Sequence, residues 1–125
     1  NIGLGPDGGA SWLLSRQVGY SKALEIATSG KKVLGDECLE LGLTNKIVEK
    51  NSILTQAQKW ALELAKKPTL AIGITKKDIF YSMNNDLKKT IAYEAERQVL
   101  AFGSHDLKEG VSAFIEKRKP NFLGK

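Results

Sequence analysis

The sequence predicts an α/β protein that is mostly helical and that forms only part of a larger fold. Most of the chain repeats apolar residues every three to four positions, the period of a helix buried on one face. Two short segments, 32–34 and 43–48, are predicted to be strands, because the first lies between glycines and the second alternates apolar and polar residues. Two strands without neighbours do not make a stable sheet, so the other strands are expected outside this chain.

Glycine, proline and capping residues set the predicted helix boundaries. Short helices, each followed closely by a glycine, are expected at 10–18, 21–28 and 36–41. Longer amphipathic helices are expected to begin near residues 52, 69, 87 and 106. Glu109 follows Asp106 at the spacing of a capping box, which predicts that the last helix begins at Asp106.

Composition excludes several classes of protein. The 125 residues are 42% hydrophobic and 26% charged, which is typical of a globular chain. Charges interrupt every apolar run, so no membrane span is expected. The single cysteine, Cys38, cannot form an internal disulfide, which favours a reducing, cytoplasmic location, and with His105 as the one histidine no metal site is expected. The net charge of +5 is spread along the chain without a nucleic-acid-binding motif, so no nucleic-acid partner is expected.

The first nine residues form the most distinctive segment. Five of them are glycine or proline, and no initiator Met precedes them, so we expect the chain to begin inside a domain. Asp7 lies just ahead of the first helix. Asp is a preferred N-cap residue, and one interpretation gives Asp7 only that structural role. In the other, the helix dipole stabilises its anionic carboxylate as a catalytic base, and the adjacent glycines let a substrate approach the backbone.

Three ordered runs carry a family resemblance that spans almost the whole chain. The first is Ile2-Gly3-Leu4-Gly5-Pro6-Asp7-Gly8-Gly9 together with Leu14-Ser15-Arg16-Gln17-Val18-Gly19; the others are Gly42-Leu43-Thr44-Asn45-Lys46-Ile47-Val48 and Glu109-Gly110-Val111-Ser112-Ala113-Phe114-Ile115-Glu116-Lys117-Arg118. In this order and spacing they resemble the C-terminal half of the crotonase superfamily, the enoyl-CoA hydratases and isomerases.

The resemblance implies a twisted spiral of ββα units followed by a helical C-terminal region. Residues 1–50 are then expected to belong to the spiral core, with 1–9 as an active-site loop, and residues 51–125 to form the helical region that assembles trimers or hexamers. It also implies a missing N-terminal half, which holds two backbone N–H groups that stabilise a thioester enolate. The hydratase glutamate would lie upstream as well.

The Pro6-Asp7 pair departs from the Pro-Gly of common hydratases and resembles the isomerase branch of phenylacetyl-CoA degradation. Shifting a double bond needs one base that removes and returns a proton, which fits Asp7. The resemblance therefore favours an enoyl-CoA isomerase acting on an acyl-CoA, with coenzyme A as part of the substrate and no other cofactor. An enoyl-CoA hydratase and a non-catalytic CoA-binding or assembly module remain as alternatives.

Substrate contacts are predicted at both ends of the chain. Pro6 and Gly8 are expected to contact the substrate, and Trp12 to line an acyl or aromatic pocket, although helix packing explains Trp12 equally well. Phe114 and Lys117 are three residues apart on the last helix, which predicts that they share a face. The family resemblance implies that both contact coenzyme A, with Lys117 near its phosphates; the structural alternative is a core Phe114 and a solvated Lys117.

Overall fold

The structure, a computed structural model, describes residues 3–125 and contains seven α-helices within that range. They are α1 (Ala10–Val18), α2 (Tyr20–Ser29), α3 (Gly35–Glu40), α4 (Ile53–Ala65), α5 (Thr69–Ser82), α6 (Leu87–Phe102) and α7 (His105–Ile115). A 3-10 turn at Lys50–Ser52 leads into α4. The predicted helices are thus all present, with ends that differ by a few residues.

Neither predicted strand forms, and residues 3–125 contain no strand. Segment 32–34 pairs with no strand among the described residues, and it ends with Leu34 in an extended conformation. In segment 43–48, the N–H groups of Leu43 and Thr44 donate to the carbonyl oxygen of Cys38, at 2.8 and 3.3 Å. These groups therefore complete the end of α3. The alternating pattern was misleading because a strand also requires a neighbour to pair with.

The chain divides into two compact units, Asn1–Ile53 and Leu54–Lys125. In the first unit α1 packs against α2, and Ala23 of α2 is buried. The Gln17 side-chain amide donates to the carbonyl oxygen of Gly42 at 2.7 Å. This hydrogen bond joins the last turn of α1 to the turn that follows α3.

In the second unit α5 packs against α6, and α6 against α7. Tyr81 and Tyr93 stack with their ring centroids 3.9 Å apart and their planes 5° from parallel. Beside them, Arg97 Nε lies 3.4 Å from the Asp78 carboxylate, and both side chains are largely buried. The α5–α6 interface therefore combines an aromatic contact with an ion pair.

Large apolar side chains remain exposed in both units. The buried hydrophobic residues of the described chain are Ala23, Ile74 and Ala113, of which two are alanines. By contrast, Phe114 and Leu4 are 85% and 79% exposed. Apolar surface of this extent is typical of faces that pack against further polypeptide. None of the described helices is both long and apolar enough to span a membrane.

Candidate active site

The loop that carries Asp7 closes in a tight turn at the start of α1. The Ala10 N–H donates to the Asp7 carbonyl oxygen at 2.9 Å, and the two residues between them, Gly8 and Gly9, have φ values of 57° and 86°. Positive φ at both central positions defines a type I′ turn, which glycine adopts without steric cost. The glycine pair thus fixes the position of Asp7 relative to the helix.

Asp7 does not cap this helix. The N-cap of α1 is Gly9, and no side chain of the described residues makes a capping hydrogen bond there. Asp7 lies two residues earlier, and it is exposed. The capping interpretation is therefore wrong, because the glycine turn moves the helix start past Asp7. Asp7 is instead the solvent-accessible first residue of the turn.

Trp12 lies in the first turn of α1 and is half-buried. The Arg16 guanidinium stacks over its indole ring, with 3.9 Å between the guanidinium carbon and the ring centroid. Arg16 Nη1 also donates to the Trp12 carbonyl oxygen at 3.3 Å. Because Arg16 is held at both the ring and the backbone, one face of the indole is covered within the first unit.

In the second unit, α7 ends before it reaches Lys117. Its last residue is Ile115, and Lys117 has a φ of 53°, in the left-handed region. The prediction that Phe114 and Lys117 share one helical face is therefore wrong, because the backbone reverses its twist between them. Phe114 is 85% exposed, which also contradicts a core role for this ring within the second unit. Both residues still lie at the C-terminal end of α7.

Two carboxylates of α7 bind the residues that follow the helix. Glu109 forms a bidentate pair with Arg118, with Nη1–Oε1 and Nη2–Oε2 distances of 2.6 and 2.9 Å. Its Oε1 also accepts from the Asn121 N–H at 2.7 Å. The hydrogen bonds from Arg118, and then from Asn121, lower the pKa of Glu109 to about 2. We call Asp106, Glu109, Arg118 and the tail 119–125 the C-terminal clasp.

Within the C-terminal clasp, Asp106 binds the last residues of the tail. Its Oδ1 accepts from the Leu123 N–H at 2.7 Å and its Oδ2 from the Gly124 N–H at 2.8 Å, and the residue is 3% exposed. Burial raises the pKa of Asp106, but the hydrogen bonds from Leu123, His105 and Gly124 outweigh that effect and the net pKa is lowered. The anionic form is therefore the one that the fold stabilises.

The C-terminal clasp is not predicted by the sequence pattern, because Asp106 and Glu109 have the spacing of a capping box. The N-cap is instead Ser104, whose hydroxyl accepts from the Leu107 N–H at 3.0 Å. The sequence contained one usable signal, since Arg118 is an obvious partner for a carboxylate. The nine-residue separation of Arg118 from Glu109 does not correspond to a helical spacing, however, so the pair depends on the turn after α7.

Two further features stand apart from the predicted residues. An open groove of about 580 Å³ runs between α5 and α6, and it is lined by Ala71, Ile74, Thr75, Asp78, Ile79, Ser82, Ile91, Glu94, Ala95 and Gln98. None of the predicted site residues lines it. Among residues 3–125, no cluster of His, Cys, Asp and Glu is arranged to hold a metal ion.

The structure thus places the predicted site residues in two groups. Pro6, Asp7 and Gly8 form the turn ahead of α1, with Trp12 in the first turn of that helix. Phe114 and Lys117 lie at the end of α7 in the second unit. Each group is defined by its own unit. The first can present a carboxylate to a substrate, and the second an exposed apolar ring at the end of α7 and a lysine in the turn that follows.

Sequence and structure comparisons identify the family. The profile described as Enoyl-CoA hydratase/isomerase matches residues 1–125, and the chain belongs to this family of the crotonase superfamily. A 1,2-epoxyphenylacetyl-CoA isomerase of Escherichia coli is 37% identical over 124 residues, which are 99% of this chain and 47% of that protein. A crotonyl-CoA hydratase of Syntrophomonas wolfei is 33% identical over 124 residues, 99% of this chain and 48% of that protein.

Solved structures agree with this assignment. A crystal structure from Geobacillus kaustophilus, described as Enoyl-CoA Hydrates Subunit I, superposes with a TM-score of 0.96 at 33% identity, covering 100% of this chain and 49% of that one. An enoyl-CoA hydratase of Mycobacterium tuberculosis gives a TM-score of 0.90 at 32% identity, covering 98% and 49%. The chain spans about half the length of the relatives that it matches.

Proposed function

We propose that this chain supplies the C-terminal half of a crotonase-fold enzyme that shifts the double bond of an enoyl-CoA. The observation that carries the proposal is the exposed carboxylate of Asp7, set by a type I′ turn beside α1 and not used as a helix cap. The similarity to a 1,2-epoxyphenylacetyl-CoA isomerase supports the isomerase branch.

In the proposed mechanism Asp7 acts as a single base. Its carboxylate removes a proton from a carbon of the acyl chain, and the electron pair moves into the thioester as an enolate. Two backbone N–H groups of the N-terminal half, implied by the family resemblance, would stabilise the enolate oxygen. The protonated Asp7, whose exposed carboxyl exchanges its proton with the solvent, then returns a proton to a carbon further along the chain, so that atoms and charge balance and no water is consumed.

The remaining predicted residues would bind the substrate. Pro6, Gly8 and Trp12 would border the acyl group, because the turn lacks side chains at its centre and an aromatic ring follows it. Phe114 would contact coenzyme A, and Lys117 would approach its phosphates, for which a flexible ammonium group is suited. Coenzyme A would enter as part of the substrate, and the proposed reaction requires no other cofactor.

The exposed apolar faces support an enzyme completed by further polypeptide. The N-terminal half of the domain would cover part of this surface, and assembly into a trimer or hexamer would cover more of it. We call the molecule that contains both halves the complete protein. We place it in the cytoplasm, where Cys38, the single cysteine of this chain, would stay reduced.

Hydration is the second candidate function, because several relatives bear that name, among them the crotonyl-CoA hydratase of Syntrophomonas wolfei. In a hydratase the principal acid and base would be glutamates of the N-terminal half, and Asp7 would have a supporting role. A non-catalytic CoA-binding or assembly module is the third possibility, and the accessible carboxylate of Asp7 argues against it.

The deciding experiment incubates the complete protein with an enoyl-CoA in deuterated water and follows the products by mass spectrometry. Deuterium bound to carbon without addition of water supports isomerisation through an enolate. Net addition of deuterated water, a gain of about 20 Da, would establish hydration instead. Recovery of the enoyl-CoA with neither a change in mass nor a shifted double bond, across short, long and aromatic acyl groups, would favour the non-catalytic module.

A further inference from the structure

Helix α3 ends in a Schellman motif that contains glycine. The Gly42 N–H donates to the Leu39 carbonyl oxygen at 3.0 Å, and the Leu43 N–H donates to that of Cys38 at 2.8 Å. Gly42 has a φ of 69°, the left-handed conformation that this motif requires. Glycine takes this conformation without steric cost, so the end of α3 is the relaxed form of the motif.

Helix α7 ends in the same motif with Lys117 in the position of the glycine. The Lys117 N–H donates to the Phe114 carbonyl oxygen at 3.2 Å, and the Arg118 N–H to that of Ala113 at 3.0 Å. Lys117, with a φ of 53°, is the one residue other than glycine with positive φ in residues 3–125. A lysine is strained in this conformation, and such strain persists only where the surroundings impose it.

The C-terminal clasp imposes the left-handed conformation on Lys117. Arg118, the next residue, is fixed by the bidentate pair with Glu109 and by a 2.6 Å contact from its Nε to Glu116. Further along, Glu109 binds the Asn121 N–H at 2.7 Å. The backbone is therefore fixed at α7 before Lys117 and at Glu109 after it. The direction in which the Lys117 side chain leaves the backbone follows from these two anchors.

We infer that Glu109 and Arg118 are positioning residues that hold Lys117 in its left-handed conformation, so that its ammonium group is preorganised for the phosphates of coenzyme A. This inference rests on the proposed function, which assigns the phosphate contact to Lys117. It explains why a lysine occupies a glycine position: a glycine would complete the turn at lower cost but would provide no charge. Preorganisation raises affinity by reducing the ordering cost of binding.

For Glu109→Gln, charge alone and positioning predict opposite changes in phosphate binding. Glu109 is an anion close to the turn that carries Lys117, so Glu109→Gln removes a negative charge and should strengthen phosphate binding if charge were the only factor. Positioning predicts that Glu109→Gln weakens it. The sign of the change therefore separates the two explanations, and Lys119→Gln serves as the control for loss of charge in the same tail.

The test compares an acyl-CoA with the corresponding acyl-pantetheine, which carries the same thioester but no phosphate, in the complete protein. The readout is the ratio of the two KM values, acyl-pantetheine over acyl-CoA. Damage to the fold lowers kcat for both substrates, whereas loss of a phosphate contact lowers the ratio. We expect a decrease of about tenfold for Lys117→Gln, the scale of one charge-assisted hydrogen bond, and a smaller decrease for Glu109→Gln and Arg118→Gln.

The double variant Lys117→Gln/Arg118→Gln should match Lys117→Gln, because Arg118 acts through Lys117. Additive losses would mean that Arg118 binds phosphate itself, and they would overturn the inference. An unchanged or increased ratio for Glu109→Gln, with a lowered one for Lys117→Gln, would also overturn it while leaving the Lys117 contact intact. An unchanged ratio for Lys117→Gln would refute that contact itself, and turnover in deuterated water would still report whether the proposed isomerisation occurs.

Discussion

Gln17 and Gly42 are joined by a 2.7 Å hydrogen bond from the side-chain Nε2 to the backbone carbonyl oxygen. A Cβ atom added at Gly42 would lie 3.2 Å from the same Nε2, and the φ of 69° already disfavours any other residue. The contact ties α1, whose first turn follows Asp7, to the glycine turn after α3. Gly42 is therefore constrained both by its backbone and by the side chain that binds it.

Replacement of Gly42 by alanine should destabilise the protein by about 1–2 kcal/mol, because alanine is strained in the left-handed region. The matched control is Gly103→Ala. Gly103 has a φ of −78°, and the atom nearest to a new Cβ at this position, Leu100 O, lies 3.9 Å away. Thermal unfolding of the complete protein measures both variants. Equal midpoints for the two would contradict the strain assigned to Gly42.

Asp7→Asn should lower kcat for isomerisation by about 10²–10⁴-fold, the range for loss of a general base, and leave acyl-CoA binding unchanged. The asparagine keeps the size and polarity of the side chain but cannot take a proton. Asp36→Asn, an exposed aspartate in the first turn of α3, is the control for loss of a carboxylate elsewhere. Turnover and acyl-CoA affinity should be measured separately. Full turnover in Asp7→Asn would eliminate Asp7 as the base.

Lys117→Gly should stabilise the fold by up to about 1 kcal/mol while weakening acyl-CoA binding. The gain arises because glycine takes the left-handed conformation without strain, less the entropy that glycine loses on folding. A rise of about 2–4 °C in the thermal midpoint is expected. Lys119→Gly is the control, since Lys119 lacks a positive φ. A lower midpoint for Lys117→Gly than for the unmodified protein would argue that Lys117 is not strained.

Glu109 in the C-terminal clasp should make the stability of the fold sensitive to acid. The pKa of this carboxyl falls from 4.5 to about 2 on folding, so its stabilising effect is complete above pH 4.5 and is lost as the pH falls toward 2. The thermal midpoint of Glu109→Gln should therefore lie below that of the unmodified protein at pH 6, and the two should converge near pH 2. A difference that stays constant across this range would contradict the role of the ionised carboxylate.

Asp106→Asn should release the C-terminal tail. An asparagine keeps one acceptor oxygen, but its amide group would face an N–H donor in place of the second oxygen. Hydrogen exchange of the Leu123 and Gly124 amides should accelerate by about tenfold, the scale of one lost charge-assisted hydrogen bond. Asp86→Asn changes the N-cap of α6 and should leave these two amides protected. Unchanged exchange in Asp106→Asn would mean that other contacts hold the tail.

The sequence by itself determined the helices, the family and the turn at Asp7. Helical periodicity and the glycines that end helices are local signals, so α1 and α4–α7 could be located closely. The Gly8-Gly9 pair likewise specifies a turn because only glycine takes positive φ freely at both positions. The departure of Pro6-Asp7 from the common hydratase pattern could be recognised without a tertiary structure, because it concerns only which residues occupy the two positions.

Tertiary structure alone decided the features that depend on residues distant in the chain. Segment 43–48 alternates like a strand, yet Leu43 completes the end of α3, since a strand needs a partner that the pattern does not supply. Glu109 has the spacing of a capping residue, yet it binds Arg118 after the chain has reversed direction beyond α7. Lys117 looks like one more helical lysine. Its left-handed conformation exists only because the tail is bound back onto the helix, and no local signal encodes that contact.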